Sequence, residues 1–415
     1  MPELQIDVVN TLIISIIVLY VGNVLTRKIA FLAKYSIPQA VSGGVLCSLI
    51  VLAIVRFGGP KVVFDLELRD GLLLAFFSTV GLSAKFSRLA AGGKALILLV
   101  GCAAIFLVLQ NTVGILLMKM FGANPAYGLF AGSISFAGGH GTAIAWGEEL
   151  KATLPGADLA GIAFATFGLV AGGVVGGPIG ERLIKKNGLA SAEGEGNKPM
   201  MSKKDCEGGD ELEPVTMERA LRTVFILAIC ISLGDLVNHF FAGEGVKLPG
   251  FLTSMMVGIA ITNVADMMKK EVRQRDFDKV GEIALQLFLA MSLMSMDLNA
   301  LADGISMLFF VLVIQVLTIT FFAALVIFRI MGKDYDAAVI SAGFTGLGLG
   351  ATPVAIANMN AITRKHGPSF KAFLVVPLVG AFFVDILNAI IIKFFLGLPM
   401  MKESPEAAVA MLTGS

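Results

Sequence analysis

The chain has 415 residues, 56% of them hydrophobic, with a formal net charge of +1 and a mean hydropathy of +0.84. That is too apolar for a soluble globule of ordinary composition, and the even charge balance offers no basic field for a nucleic-acid partner. Cys47, Cys102, Cys206 and Cys230 sit at unrelated spacings, so neither a disulfide framework nor a metal cluster is indicated. The opening MPELQID has no basic segment, so the first apolar run is expected to stay as a membrane helix rather than leave as a signal peptide. The expected fold class is an all-α polytopic membrane protein.

A spanning helix needs about 20 mainly apolar residues, and ten segments qualify. In the first half they cover roughly 8–26, 38–57, 71–86, 94–119 and 158–181, with a glycine-rich piece at 126–147 before the last. In the second half they cover roughly 220–241, 249–267, 280–299, 305–331 and 369–396, again with a glycine-rich piece, 337–358, before the last. Between the halves, residues 182–219 are polar and rich in Lys, Glu, Gly and Ser, as expected of a linker. The domains predicted are a first repeat over 1–181, the linker over 182–219, a second repeat over 220–398 and a tail over 399–415.

Four helices, a broken hairpin and one helix thus occur twice. Pro38 and Pro249, Phe77 and Phe288, and Leu82 and Leu293 are each 211 positions apart; Gly122 and Gly332, Gly138 and Gly348, Thr142 and Thr352, and Ala145 and Ala355 are each 210 apart. Five spans per half is odd, so the second half is expected to enter the membrane inverted. With the amino terminus outside, about three quarters of the 32 basic residues fall on the inner side, in line with the positive-inside rule. Both termini are then external and the linker cytoplasmic.

The stretch GLGLGATPVAIANM from Gly346 would make a poor helix interior, because each Gly costs about 1 kcal/mol against Ala and Pro353 lacks a donor. GSISFAGGHGT from Gly132 is its counterpart. Non-helical backbone at membrane depth is tolerated where it is buried in protein or lines a wet cavity, so both stretches read as tips of re-entrant hairpins that meet at a transport site. Broken helices supply free N–H groups for anions and free carbonyls for a hard cation. At the first tip the candidates for solute binding are Ser133, Ser135, Gly138, Gly139, His140, Gly141 and Thr142. At the second they are Thr345, Gly346, Gly348, Gly350, Thr352 and Asn358.

Asp385 and Asn388, spaced i and i+3 on the last helix, are the candidate cation ligands. The plainer alternatives are that Asp385 pairs with a basic residue and that His140 is a structural hydrogen-bonding group. Gln110, Asn111 and Gln315 lie mid-span and must find polar partners inside the bundle, whether they line a path or join helices. No His cluster, Walker sequence or paired acids mark a membrane enzyme. An ion channel with glycine-lined loops and a receptor or scaffold are the rival classes; neither requires an inverted repeat.

GGHGTAIAW from Gly138, GLGLGATPVAIANMNAIT from Gly346 and FLVVPLVGAFFVDILNAIIIK from Phe373 closely resemble the bacterial sodium/glutamate symporters. YSIPQAVSGG at Tyr35, LRDGLLLAFFSTVGL at Leu68 and MGKDYDAAVISAG at Met331 look like further family segments. The resemblance implies sodium-driven uptake of L-glutamate across a bacterial inner membrane by a homodimer, with a fold similar to that of 2-hydroxycarboxylate transporters. On that basis the hairpin residues named above would bind glutamate and sodium (Na+), and a 2-hydroxycarboxylate carrier is the alternative within transport.

Overall fold

The computed structural model describes residues 3–34, 37–191, 216–243, 248–269, 274–296 and 305–401. Helix α1 (Val8–Lys28) starts where Asp7 accepts from the Asn10 N–H and ends on Arg27 and Lys28, charges that suit the two ends of a helix. After α2 (Ala30–Lys34), α3 (Gln39–Arg56) begins at Pro38. Then come α4 (Glu67–Ser83), α5 (Ser87–Met120), α6 (Tyr127–Phe130), α7 (Gly139–Glu149) and α8 (Ala157–Asn187). The second half runs through α9 (Met217–Gly243), α10 (Gly250–Met267), α11 (Gln274–Met294) and α12 (Ile305–Phe322), which continues through a π turn at Ala323–Ile327. It closes with α13 (Tyr335–Leu349), α14 (Thr352–His366), α15 (Phe370–Leu378), a π turn at Val379–Phe383 and α16 (Val384–Leu396).

The helices sort into two bundles, and each takes members from both halves of the chain. Helices α1, α3, α4, α9, α10 and α11 pack together, while α5 to α8 pack with α12 to α16. In the first bundle backbones touch: a Cβ on Gly258 of α10 would lie 2.8 Å from the Ser78 carbonyl oxygen and 3.0 Å from the Leu82 nitrogen of α4. Ser48 of α3 donates to the Leu293 carbonyl of α11. Small residues that admit such contact are how membrane helices gain packing without a hydrophobic driving force.

Several paired positions behave alike. Pro38 and Pro249 precede their helices with nearly equal backbone angles, φ −58 and ψ 143 against φ −59 and ψ 139. Phe77 and Phe288 are both buried, as are Leu82 and Leu293, and Gly122 and Gly332 both have positive φ.

Seven of the described helices are long and apolar enough to span a bilayer, and the bent pair Phe370–Ala381 with Val384–Leu396 makes an eighth. The chain is therefore a multi-pass membrane protein. The two remaining expected spans are helices too, but α4 has 17 residues with Glu67 and Asp70 in its first turn. Helix α11 opens with Arg275, Asp276, Asp278 and Lys279.

The structure differs from sequence expectation in four places. A two-stranded parallel sheet joins Glu3–Ile6 to Lys61–Phe64, a small unexpected addition to an all-α membrane fold. Helix α8 runs beyond residue 181 into the expected linker, because Glu181 pairs with Lys185 at 2.9 Å and the helix ends only at Gly188, φ 60. Gly346 and Gly348 lie inside α13 rather than in an open tip, and the break falls at Gly350 and Ala351. Packing outweighs propensity there: a Cβ on Gly346 would lie 2.6 Å from the Ala355 backbone. Pro353 begins α14 instead of interrupting it, at a helix start where its missing N–H costs nothing. Most of the expected linker, residues 192–215, and the tail 402–415 lie outside the described residues.

Candidate functional site

Two helix breaks meet at the interface of the bundles. Helix α7 starts at Gly139, whose φ of 70 turns the chain sharply after the turns of 131–138. Helix α14 starts at Thr352 after extended Ala351. The breaks adjoin: a Cβ on Gly139 would sit 3.7 Å from the Gly350 carbonyl oxygen. Both helix starts line one cavity of about 230 Å³. The first N–H groups of a helix have no intrahelical acceptor and carry the positive end of its dipole, so the cavity has two donor-rich, electropositive walls.

Of the sequence candidates, Gly138, Gly139, His140, Gly141, Thr142, Gly350, Thr352 and Asp385 line this cavity. Asp385 is half-buried, two residues past the π turn, and its carboxylate has no basic partner among the described residues. The π turn itself packs on the second break, since a Cβ on Gly380 would lie 2.5 Å from Thr352 Oγ1. His140 is 5% exposed and its Nε2 lies 2.9 Å from Thr166 Oγ1. That hydroxyl donates to the Ile162 carbonyl, so the imidazole Nε2–H is the donor to it. A neutral His140 then keeps Nδ1 as an acceptor.

The other candidates lie away from the cavity. Ser133 and Asn388 close on each other: Ser133 Oγ donates to Asn388 Oδ1 at 2.5 Å, and Asn388 Nδ2 donates to the Ser133 carbonyl at 3.0 Å. The expected cation pair is thus divided, with Asp385 facing the cavity and Asn388 engaged behind it. Thr345 donates to the Ser341 carbonyl, and Asn358 joins α14 to α8 through the Gly172 carbonyl. Ser135 is buried with its hydroxyl unpartnered. Gly346 and Gly348 serve packing, Gly348 against Phe106 and Ile319.

Sequence reasoning did not place Phe76, Phe77, Leu285 and Leu289, which form the opposite, apolar wall on α4 and α11. The pairing of Phe77 with Phe288 was a visible signal, but nothing in it pointed to a cavity.

The mid-span glutamines find partners through their amide nitrogens, while both Oε1 atoms are buried without one among the described residues. Gln110 Nε2 donates to the Gly348 carbonyl at 2.8 Å, and Gln315 Nε2 donates to the Ala131 carbonyl at 2.8 Å and the Gln110 carbonyl at 3.0 Å. Each half's glutamine therefore satisfies a carbonyl at the other half's break, where helix geometry leaves it without an amide. Asn111 Oδ1 accepts from the Ser133 N–H. A second cavity, about 480 Å³, also separates the bundles. Beside it the buried Arg69 of α4 donates to Asp70 at 2.8 and 2.9 Å and across to Glu148 of α7 at 2.9 Å.

Interrupted helices aimed into a small cavity between two bundles of a multi-pass protein define the architecture of a membrane carrier. The family described as sodium/glutamate symporter matches residues 4–368. The chain is 41% identical over 407 residues to the sodium/glutamate symporter of Escherichia coli (strain K12), covering 95% of this chain and 99% of that protein. It is 38% identical over 392 residues to the one from Haemophilus influenzae, covering 92% and 96%. The chain belongs to the sodium/glutamate symporter family.

Proposed function

We propose that this protein carries L-glutamate into the cell together with sodium, by alternating exposure of the cavity between its two bundles. The observation that carries this reading is the pairing, in one cavity, of two helix starts with an unpaired carboxylate. Helix starts suit the carboxylates of glutamate. Asp385 supplies the negative charge that a sodium ion or the substrate ammonium requires. The apolar wall of Phe76, Phe77, Leu285 and Leu289 gives the second bundle an apolar surface to slide along at the cavity.

The finer architecture belongs to the same proposal. Ten spans form two inverted repeats, each with a re-entrant hairpin, one entering from outside and one from inside. Both termini face outward and the linker lies in the cytoplasm of a bacterium whose inner membrane holds the protein as a homodimer. Asp385 is the sodium ligand, while His140, Thr142, Thr352 and the glycine backbone of the tips contact the substrate.

Equilibrium binding tests the site apart from transport. Purified protein should bind radiolabelled L-glutamate with sodium present, lose most of that binding when sodium is replaced by choline, and keep it against excess citrate. Displacement by citrate would instead make the protein a 2-hydroxycarboxylate or other small-anion carrier.

A further inference from the structure

The largest of the described cavities has no part in the site above. It is a trough of about 710 Å³ between α8 and α12. Two backbone irregularities border it: Pro178 inside α8 and the π turn Ala323–Ile327 in α12. A proline ring and an inserted residue both disturb regular ridge-and-groove packing, which accounts for helices that stand apart here. The upper trough is apolar, with Val174, Phe321 and Leu325 on its exposed edge and Ile179 buried. Its lower end gathers Arg182 and Lys186 from α8, Arg329 from the helical turn Phe328–Ile330 that follows the π turn, and Lys333 from the bend after it.

Basic residues at cytoplasmic helix ends are common in themselves. Here they converge on one trough whose lining includes no carboxylate. The nearest acid on α8, Glu181, is engaged by Lys185 and Lys365. Arg329 donates Nη1 to the Leu325 carbonyl of its own helix at 2.7 Å, which holds its guanidinium along the trough. From Val174 to Lys186 a helix rises about 18 Å, a length suited to one acyl chain lying above a headgroup.

We infer that this trough is a binding site for one anionic phospholipid of the cytoplasmic leaflet, its phosphate held by Arg182, Lys186, Arg329 and Lys333 and its acyl chain laid between α8 and α12. Basic pockets between helices at this face recognise such headgroups by charge, and the acyl chain adds contact that a free anion lacks. The inference rests on the cytoplasmic placement of these helix ends proposed above, but not on the identity of the transported solute. Because α8 and α12 both belong to the bundle that carries the helix breaks, the lipid would travel with the substrate-binding part.

Native mass spectrometry of the delipidated full chain, titrated with phosphatidylglycerol or phosphatidylethanolamine, tests it. The expected result is a one-lipid adduct with phosphatidylglycerol at concentrations where phosphatidylethanolamine gives none. The double variant Arg182→Gln/Arg329→Gln should weaken that adduct roughly ten- to thirtyfold. Equal retention of the two lipids, an undiminished adduct in the variant, or displacement by inorganic phosphate at equal concentration would each overturn the assignment. Sodium-dependent glutamate binding by the same variant serves as the folding control; should it be lost, Val175→Trp, which fills the trough and spares the charges, must abolish the adduct for the inference to stand.

Discussion

Replacing Asp385 by Asn removes a carboxylate from the cavity wall while leaving shape and the Asn388–Ser133 contact in place. The half-saturating sodium concentration of uptake should rise by about tenfold or more, equivalent to about 1.4 kcal/mol, with little change in thermal stability; an unchanged sodium curve would remove Asp385 as a ligand. Gln110 makes a different kind of prediction, because its Nε2–H serves the Gly348 carbonyl. Gln110→Leu leaves that carbonyl buried and unsatisfied, at a cost of about 1–3 kcal/mol, and should depress uptake. Gln110→Glu retains a donor only while its carboxyl is protonated. Uptake relative to the parent protein is therefore expected to be best at low pH and to fall as pH rises through that carboxyl's titration. A Glu variant whose uptake relative to the parent is flat from pH 5.5 to 8.5 would show that the donor is dispensable.

At the level of elements, the two tips separate glycines that serve the cavity from glycines that serve packing. Gly139 has φ 70 and borders the cavity, whereas a Cβ on Gly348 would press into Phe106 at 2.8 Å and into Ile319. Gly348→Leu should therefore lower the melting temperature through overpacking of about 1–3 kcal/mol. Gly139→Ala, strained by about 1 kcal/mol, should lose uptake before it loses stability. Thermal unfolding in detergent beside uptake separates the two, and the reverse ranking would contradict the assignment. The element order and the location of both breaks were legible in the glycine runs and the prolines, because chain breakers and hydropathy are local properties. The helical state of Gly346 and Gly348, the π turn before Asp385 and the division of Asp385 from Asn388 were not. Each is decided by a tertiary neighbour: Ala355 across the break for Gly346, Phe106 and Ile319 for Gly348, Thr352 for the π turn and Ser133 for the divided pair.

Across the whole molecule, two interleaved bundles are joined at the cavity by apolar surface and beside it by the Arg69–Glu148 ion pair. Any sliding of one bundle past the other must part that pair. Glu148→Gln weakens it while Asp70 still holds the guanidinium, so the equilibrium between states should shift and the apparent affinity for glutamate from one face should change severalfold. Equal affinities in variant and parent would mean that the pair does not distinguish the states. The bundle assignment could not be read from hydropathy, since helices of both bundles are alike in composition and only tertiary contact sorts them. The account stands most directly on uphill transport. Proteoliposomes of the purified protein, given radiolabelled L-glutamate and an inward sodium gradient, should accumulate it above the external concentration and lose it when the gradient is collapsed by an ionophore. Equilibration to the external level with or without sodium would contradict the symport mechanism.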